Sequence, residues 1–326
     1  MRRGSVPGAR GGAGSLHSVA DSAPPARFGR VLTAMATPFD DEGRLDLDGA
    51  ARLARALVAS GSDGLVVTGS TGEAPTLSDE ERLALWGAVT EAVSVPVLAG
   101  STSNDTPHSI ALTKAASALP IAGVLAVTPY YNRPPQAGLE AHFLAVAAAT
   151  PLPVILYDVP ARTGRRLARR TIVRCAQQAA NIVGLKDAAG DPAATERVLA
   201  EVPTGFECYS GDDALTLPLL AVGAVGLIGV ATHWAAAEYK EMIVSFLAGE
   251  RDRPRAIGRA LLSSTAFETS DDAPNPLPVK AMLRVMGLPA GQCRLPLGVA
   301  PDGLEQQAKS VLAELDHWRS QRGHRG

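Results

Sequence analysis

The feature that most constrains this chain is an alternation that begins at Arg30, where short apolar runs rich in Val, Ile and Leu are separated by longer Ala-rich amphipathic stretches. Continuous apolar runs suit strands buried on both faces of a parallel sheet, and the stretches between them have the periodicity of crossover helices. Candidate strands are Val31 to Thr37, Gly64 to Thr68, Val97 to Gly100, Gly123 to Thr128, Val154 to Asp158, Ile182 to Lys186, Glu207 to Ser210 and Val225 to Val230. Eight such units close into a barrel. A doubly wound open sheet would show the same alternation, but no GxGxxG follows the first strand. The expected class is α/β, a (β/α)8 TIM barrel with a C-terminal helical appendage.

The chain's 326 residues divide on this reading into an N-terminal tail over 1–26, the barrel over 27–252 and a helical region over 253–326. The tail is rich in Gly, Ala, Ser, Pro and Arg, lacks the apolar run of a signal peptide, and is expected to be disordered. Inside the barrel, helices are expected at Asp48 to Ser60 and Asp79 to Ala92, the second opened by a Ser78 and Glu81 capping box. Beyond it, Arg253 to Ser270, Leu277 to Met286 and Leu304 to Trp318 have helical character and are separated by Pro-containing breaks. This appendage is too small to expect catalysis from it alone.

A formal net charge of -2, from 31 basic and 33 acidic residues, creates no field that would draw nucleic acid or an anionic membrane. A small-molecule partner is expected instead. No run of 18 apolar residues is present to suggest a transmembrane helix. Cys175, Cys208 and Cys293 lie far apart without a CxxC pair, which suits buried thiols in a reducing compartment, and a cytoplasmic protein is expected. His108, His142 and His233 show no ligand spacing with Asp, Glu or Cys, so neither a metal nor a cofactor is expected.

In a barrel of this type the active site lies at the C-terminal ends of the strands. Strand two runs into Gly69-Ser70-Thr71-Gly72-Glu73, strand four into Thr128-Pro129-Tyr130-Tyr131-Asn132, and strand five into Tyr157-Asp158-Val159-Pro160-Ala161-Arg162-Thr163-Gly164. Strand six ends in Lys186. Of the five lysines, Lys114, Lys240, Lys280 and Lys309 fall in expected helices, where a solvated ammonium is the ordinary outcome. Lys186 instead ends an apolar strand, and burial lowers an amine's pKa and frees it to attack a carbonyl. A structural lysine paired with Asp187 is the competing reading.

A Schiff-base lysine needs a proton shuttle, and Tyr157, ending the neighbouring strand, can supply one; otherwise it is a core tyrosine with a satisfied hydroxyl. Ser70 and Thr71 are either turn residues beside two glycines or donors to a carboxylate or proton chain. Arg162, between Pro160 and Gly164, is either a surface arginine or a bidentate carboxylate ligand.

Taken together, Gly69-Ser70-Thr71-Gly72-Glu73, Val127-Thr128-Pro129-Tyr130-Tyr131-Asn132, Tyr157-Asp158-Val159-Pro160, Gly184-Leu185-Lys186-Asp187 and Ser210-Gly211-Asp212-Asp213 resemble the dihydrodipicolinate synthase and N-acetylneuraminate lyase family of class I aldolases. The resemblance runs from about Arg30 to Leu315. It implies that Lys186 forms a Schiff base with pyruvate, that Tyr157 shuttles protons, and that Ser70 and Tyr131 complete the relay. Ser70 stands where the synthases usually carry threonine, which keeps the hydroxyl. In this family the second tyrosine crosses a tight dimer interface, so a homo-oligomer is implied, at least a dimer and commonly a tetramer. Thr71 with its loop amides would hold the pyruvate carboxylate, and the Ile228 carbonyl would face the same pocket.

Arg162-Thr163-Gly164 matches the synthase branch, where the arginine binds the carboxylate of L-aspartate 4-semialdehyde, and Pro274 to Lys280 and Arg294 to Leu297 also look like that branch. The implied reaction is condensation of pyruvate with that aldehyde to 4-hydroxy-tetrahydrodipicolinate, on the way to diaminopimelate and lysine. The alternative is a lyase or dehydratase of the same family acting on a keto-deoxy sugar acid. At the family's lysine-feedback site Asn104 and Tyr130 are kept, but Ala74, Arg82 and His108 stand where lysine-sensitive members place a serine, a histidine and a glutamate. Weak lysine binding is therefore expected.

Overall fold

The computed structural model describes residues 26–323, so the expected tail lies outside the described residues except for Ala26. Eight strands, β1 (Val31–Ala34), β2 (Gly64–Val67), β3 (Val97–Gly100), β4 (Gly123–Val127), β5 (Val154–Asp158), β6 (Ile182–Asp187), β7 (Glu207–Ser210) and β8 (Gly226–Gly229), form a closed barrel in chain order. β1 pairs in parallel with both β2 and β8, which closes it. The (β/α)8 expectation holds.

Strand ends differ from expectation where side chains capture the backbone. β1 stops at Ala34, short of Thr37, because the Ala36 N–H donates to His233 Nε2 (3.1 Å) and the Thr37 hydroxyl donates to the Gly72 carbonyl (2.7 Å). β8 stops at Gly229 because the next N–H, on Val230, donates to Asp213 Oδ2 (2.9 Å). β6 runs one residue further than expected, since Asp187 stays in register with Asp158.

The helix Asp79–Ala92 starts as expected: Ser78 Oγ accepts from the Glu81 N–H, and Glu81 Oε2 accepts from the Ser78 N–H. Helix Leu47–Ala59 begins one residue early because Asp46 caps it, accepting from the Gly49 N–H (2.7 Å). The stretch expected as one helix from Arg253 to Ser270 is two, Asp252–Ala260 and Leu262–Phe267, with Leu261 at ψ -2° turning the chain between them. Helices Leu277–Val285 and Leu304–Gly323 complete the C-terminal region.

Alternation within the strands decides what faces the interior. In β5, Val154 and Leu156 pack outward against helices, while Ile155 and Tyr157 join Leu32, Val66, Leu98, Leu125, Tyr209 and Ile228 inside the barrel. The C-terminal helices share the main core: Val279, Met282, Leu283, Leu304 and Leu315 cluster with Leu53, Trp86 and Trp234 of the barrel layer. Helix Leu277–Val285 is buried from Leu277 to Leu283, so Lys280 on it is only 1 % exposed. The expectation of a solvated Lys280 is thus corrected: a helix surrounded by core leaves its lysine no solvent face. All three cysteines are free and buried. Among the described residues no helix is long and apolar enough to cross a membrane, and no group of His, Cys, Asp and Glu could hold a metal ion.

Candidate active site

Lys186 and Tyr157 are directly opposite one another in the β5–β6 ladder. Leu185 points outward to the helix layer, so strand alternation turns Lys186 inward, where it is 4 % exposed. Its Nζ lies 4.3 Å from the centre of the Tyr157 ring. Burial lowers the amine's pKa to about 8; the Asp213 carboxylate opposes that shift and the Arg162 guanidinium adds to it. Asp187 is not the lysine's partner: it accepts from the Ala189 N–H (2.8 Å) and, in a short bond, from the Thr195 hydroxyl. Gly211 makes room for the lysine stem, since a Cβ there would stand 2.9 Å from Lys186 Cγ.

The Tyr157 phenol is pushed up to about 12 by burial, against the lowering influence of Arg162 and of the facing Ser70 hydroxyl. Ser70 lies on the turn after β2, a loop bounded by two left-handed non-glycine residues, Thr68 at φ 59° and Glu73 at φ 54°. Thr71 is buried and its Oγ1 accepts from Asn275 Nδ2 (2.9 Å). A cleft of about 540 Å³ opens over this turn, bordered by Ser70, Tyr157, Arg162, Arg82, Tyr130 and Asn275. Tyr157 forms its wall, and the amine sits against the face of that ring.

Arg162 stands on the short helix Pro160–Thr163, ended by Gly164 at φ 67°, and its Nη2 donates to the Asn275 carbonyl (3.2 Å). Tyr131 is at the cleft rim, left-handed at φ 70° and 88 % exposed. Ile228 is buried on β8 opposite Leu32, in the same interior cluster as Tyr157. The fold thus gathers Lys186, Tyr157, Ser70, Thr71 and Arg162 at one mouth and leaves Tyr131 turned to solvent.

Two residues at this mouth carry no expected role. Asn275 ties Thr71 and Arg162 to the C-terminal region through its side chain and its carbonyl. Asp213 is buried, anchored by the Val230 and Ala231 N–H groups (2.9 and 3.1 Å), and its carboxyl is pushed up to about 6 by burial. Both fall in motifs visible in the sequence, Pro274 to Lys280 and Ser210 to Asp213, but side-chain type alone does not separate a positioning contact from an ordinary turn or cap.

The model of the dihydrodipicolinate synthetase family matches residues 27–315. The chain belongs to that family. As a member of it, the chain is 48 % identical over 292 residues to a 4-hydroxy-tetrahydrodipicolinate synthase of Moorella thermoacetica, covering 88 % of this chain and 98 % of the relative. It is 44 % identical over 290 residues to the enzyme of that name from Bacillus subtilis, covering 88 % and 99 %. Among solved structures, a dihydrodipicolinate synthase from Bacillus anthracis superimposes with TM-score 0.84 at 42 % identity, covering 88 % of this chain and 98 % of that one. A lysine-bound one from Cyanidioschyzon merolae superimposes with TM-score 0.87 at 39 % identity, covering 90 % and 99 %.

Proposed function

We propose that the chain is a 4-hydroxy-tetrahydrodipicolinate synthase, a class I aldolase-type lyase that condenses pyruvate with L-aspartate 4-semialdehyde. The observation that carries this reading is the inward Lys186 amine, its pKa drawn to about 8, set against the Tyr157 phenol at the barrel mouth. Pyruvate passes the phenol to reach the amine. Lys186 attacks C2 of pyruvate, water leaves, and the resulting iminium loses a proton from C3 to give an enamine. That carbon adds to the aldehyde carbon of the second substrate. The amino group of the new chain then attacks C2 and displaces Lys186, which closes the ring and frees the enzyme.

Each step moves a proton, which Tyr157 with Ser70 carries. Tyr131, exposed at the rim, reaches a relay only from a partner subunit, which fits a working homo-oligomer of at least two chains and commonly four. Thr71 and the turn amides receive the pyruvate carboxylate, the Ile228 carbonyl faces the same pocket, and Arg162 receives the carboxylate of the semialdehyde. No metal or cofactor enters these steps. Three buried free thiols suit the cytoplasm.

Borohydride reduction in the presence of pyruvate, followed by peptide mass mapping, tests the reading. A pyruvyl adduct on Lys186 is expected, together with coupled turnover of aspartate semialdehyde in preference to keto-deoxy sugar acids. An adduct with turnover of sugar acids alone would move the chain to the other branch of the family.

A further inference from the structure

Lys280 and Glu73 form an ion pair at 2.6 Å with side chains 1 % and 0 % exposed. Removing two charges from water costs several kcal/mol each, so this pair needs a reason beyond packing. Lys280 Nζ also donates to the Gln292 carbonyl (2.9 Å) and lies 4.1 Å from the centre of the Phe39 ring. Glu73 Oε2 accepts from the Arg294 N–H (2.9 Å). The Arg294 guanidinium is engaged with Glu81, Thr76 and Gly43, so it cannot take over from the lysine.

What Glu73 does with its backbone supplies the reason. Its N–H donates to the Ser70 carbonyl (3.1 Å), closing the turn that presents Ser70 and Thr71, and its carbonyl accepts from the Thr76 N–H (2.9 Å). It does so at φ 54° and ψ 36°, a left-handed conformation that is unfavourable for a non-glycine residue and persists only where the surroundings enforce it. The enforcement comes from one helix and the residues leading into it, through Lys280 to Glu73 and through Asn275 to Thr71.

We propose that Lys280 is a positioning residue of the reaction: through Glu73 it holds the turn that carries Ser70 against Tyr157 and Thr71 toward the substrate. Helix Leu277–Val285 is then part of the active site, although none of its charged groups touches the reacting atoms. This inference rests on the Schiff-base reading above. A buried ion pair is a weak net stabiliser compared with a neutral pair of similar volume, whereas loss of one partner alone leaves a costly buried charge. That asymmetry separates position from stability.

The test compares Lys280→Met, Glu73→Gln and the double variant Glu73→Gln/Lys280→Met, assayed well below the lowest Tm. The single variants are expected to lose both Tm and kcat. The double variant, with no lone buried charge, is expected to recover Tm while its kcat stays about 10- to 100-fold below that of the unaltered chain, the scale of a small misplacement at a reacting centre. With pyruvate at saturation the extent of the borohydride-trapped adduct on Lys186 is expected to reach its starting level, while its rate of formation falls with kcat. Glu73→Gln/Lys280→Leu, a second neutral double variant, serves if the methionine variants do not fold, and the same split is expected of it. Recovery of kcat along with Tm would overturn the proposal and leave the pair a structural one. Failure of the unaltered chain to trap pyruvate would instead overturn the Schiff-base reading on which it rests.

Discussion

Lys186 Nζ sits 4.3 Å from the centre of the Tyr157 ring, and the two residues are register partners across β5 and β6. Parallel neighbours at the same register point to the same face, so a single pairing brings together the proposed nucleophile and the proposed proton shuttle. Lys186→Ala is expected to abolish the trapped adduct and nearly all turnover while circular dichroism and Tm stay close to those of the unaltered chain. A labelled peptide containing another lysine would assign the nucleophile elsewhere.

The pH dependence follows from the environment of that amine. Burial lowers it to about 8, and the neutral form attacks, so about one-tenth is ready at pH 7 and the fraction climbs as pH rises through 8. The rate of adduct formation with pyruvate should climb over the same range. Asp213, ionised there because its carboxyl titrates near 6, favours the ammonium. Asp213→Asn should therefore move the midpoint below 8, as read by trapping rates across pH. A midpoint moved upward would contradict the charge assignment.

The role proposed for Arg162 separates the two substrates. Its guanidinium is exposed at the cleft and anchored by one bond to Asn275, which leaves donors for a carboxylate. Arg162→Ala should raise KM for aspartate semialdehyde by about 10- to 100-fold, the equivalent of a charge-assisted contact of roughly 1.5 to 3 kcal/mol. The extent of the pyruvate adduct should barely change. Steady-state kinetics beside trapping gives both numbers, and equal loss of the two would remove Arg162 from its role.

The barrel and the inward Lys186 were legible because a lysine at the end of an apolar strand is a local signal, readable from the alternation of Ile182 to Lys186 alone. Lys280 was misread for the opposite reason. Its sequence neighbours describe a helix, but only packing reveals that core surrounds that helix from Leu277 to Leu283. Asn275 and Asp213 were equally hidden, since each acts on loops or strands far away in sequence, at Thr71, Arg162, Val230 and Ala231. Strand ends shifted where His233, Gly72 and Asp213 captured backbone or hydroxyl groups, contacts that no local pattern announces.

The last prediction concerns L-lysine. An effector ammonium needs a free carboxylate, and around Arg82 the charges have the wrong sign or are already engaged. Asp79 accepts from His108 Nε2 at 2.9 Å through either oxygen and also faces the Arg82 guanidinium. Arg82 is buried, donates to the Ala74 carbonyl (2.5 Å), and borders the cleft beside Tyr130. Ala74 offers no hydroxyl, and His108 brings no negative charge to meet an ammonium. Initial rates at fixed pyruvate and aspartate semialdehyde are expected to change little at millimolar L-lysine. Strong inhibition at sub-millimolar lysine that vanishes in Arg82→Ala would show that this region recognises the amino acid through contacts its charges do not favour.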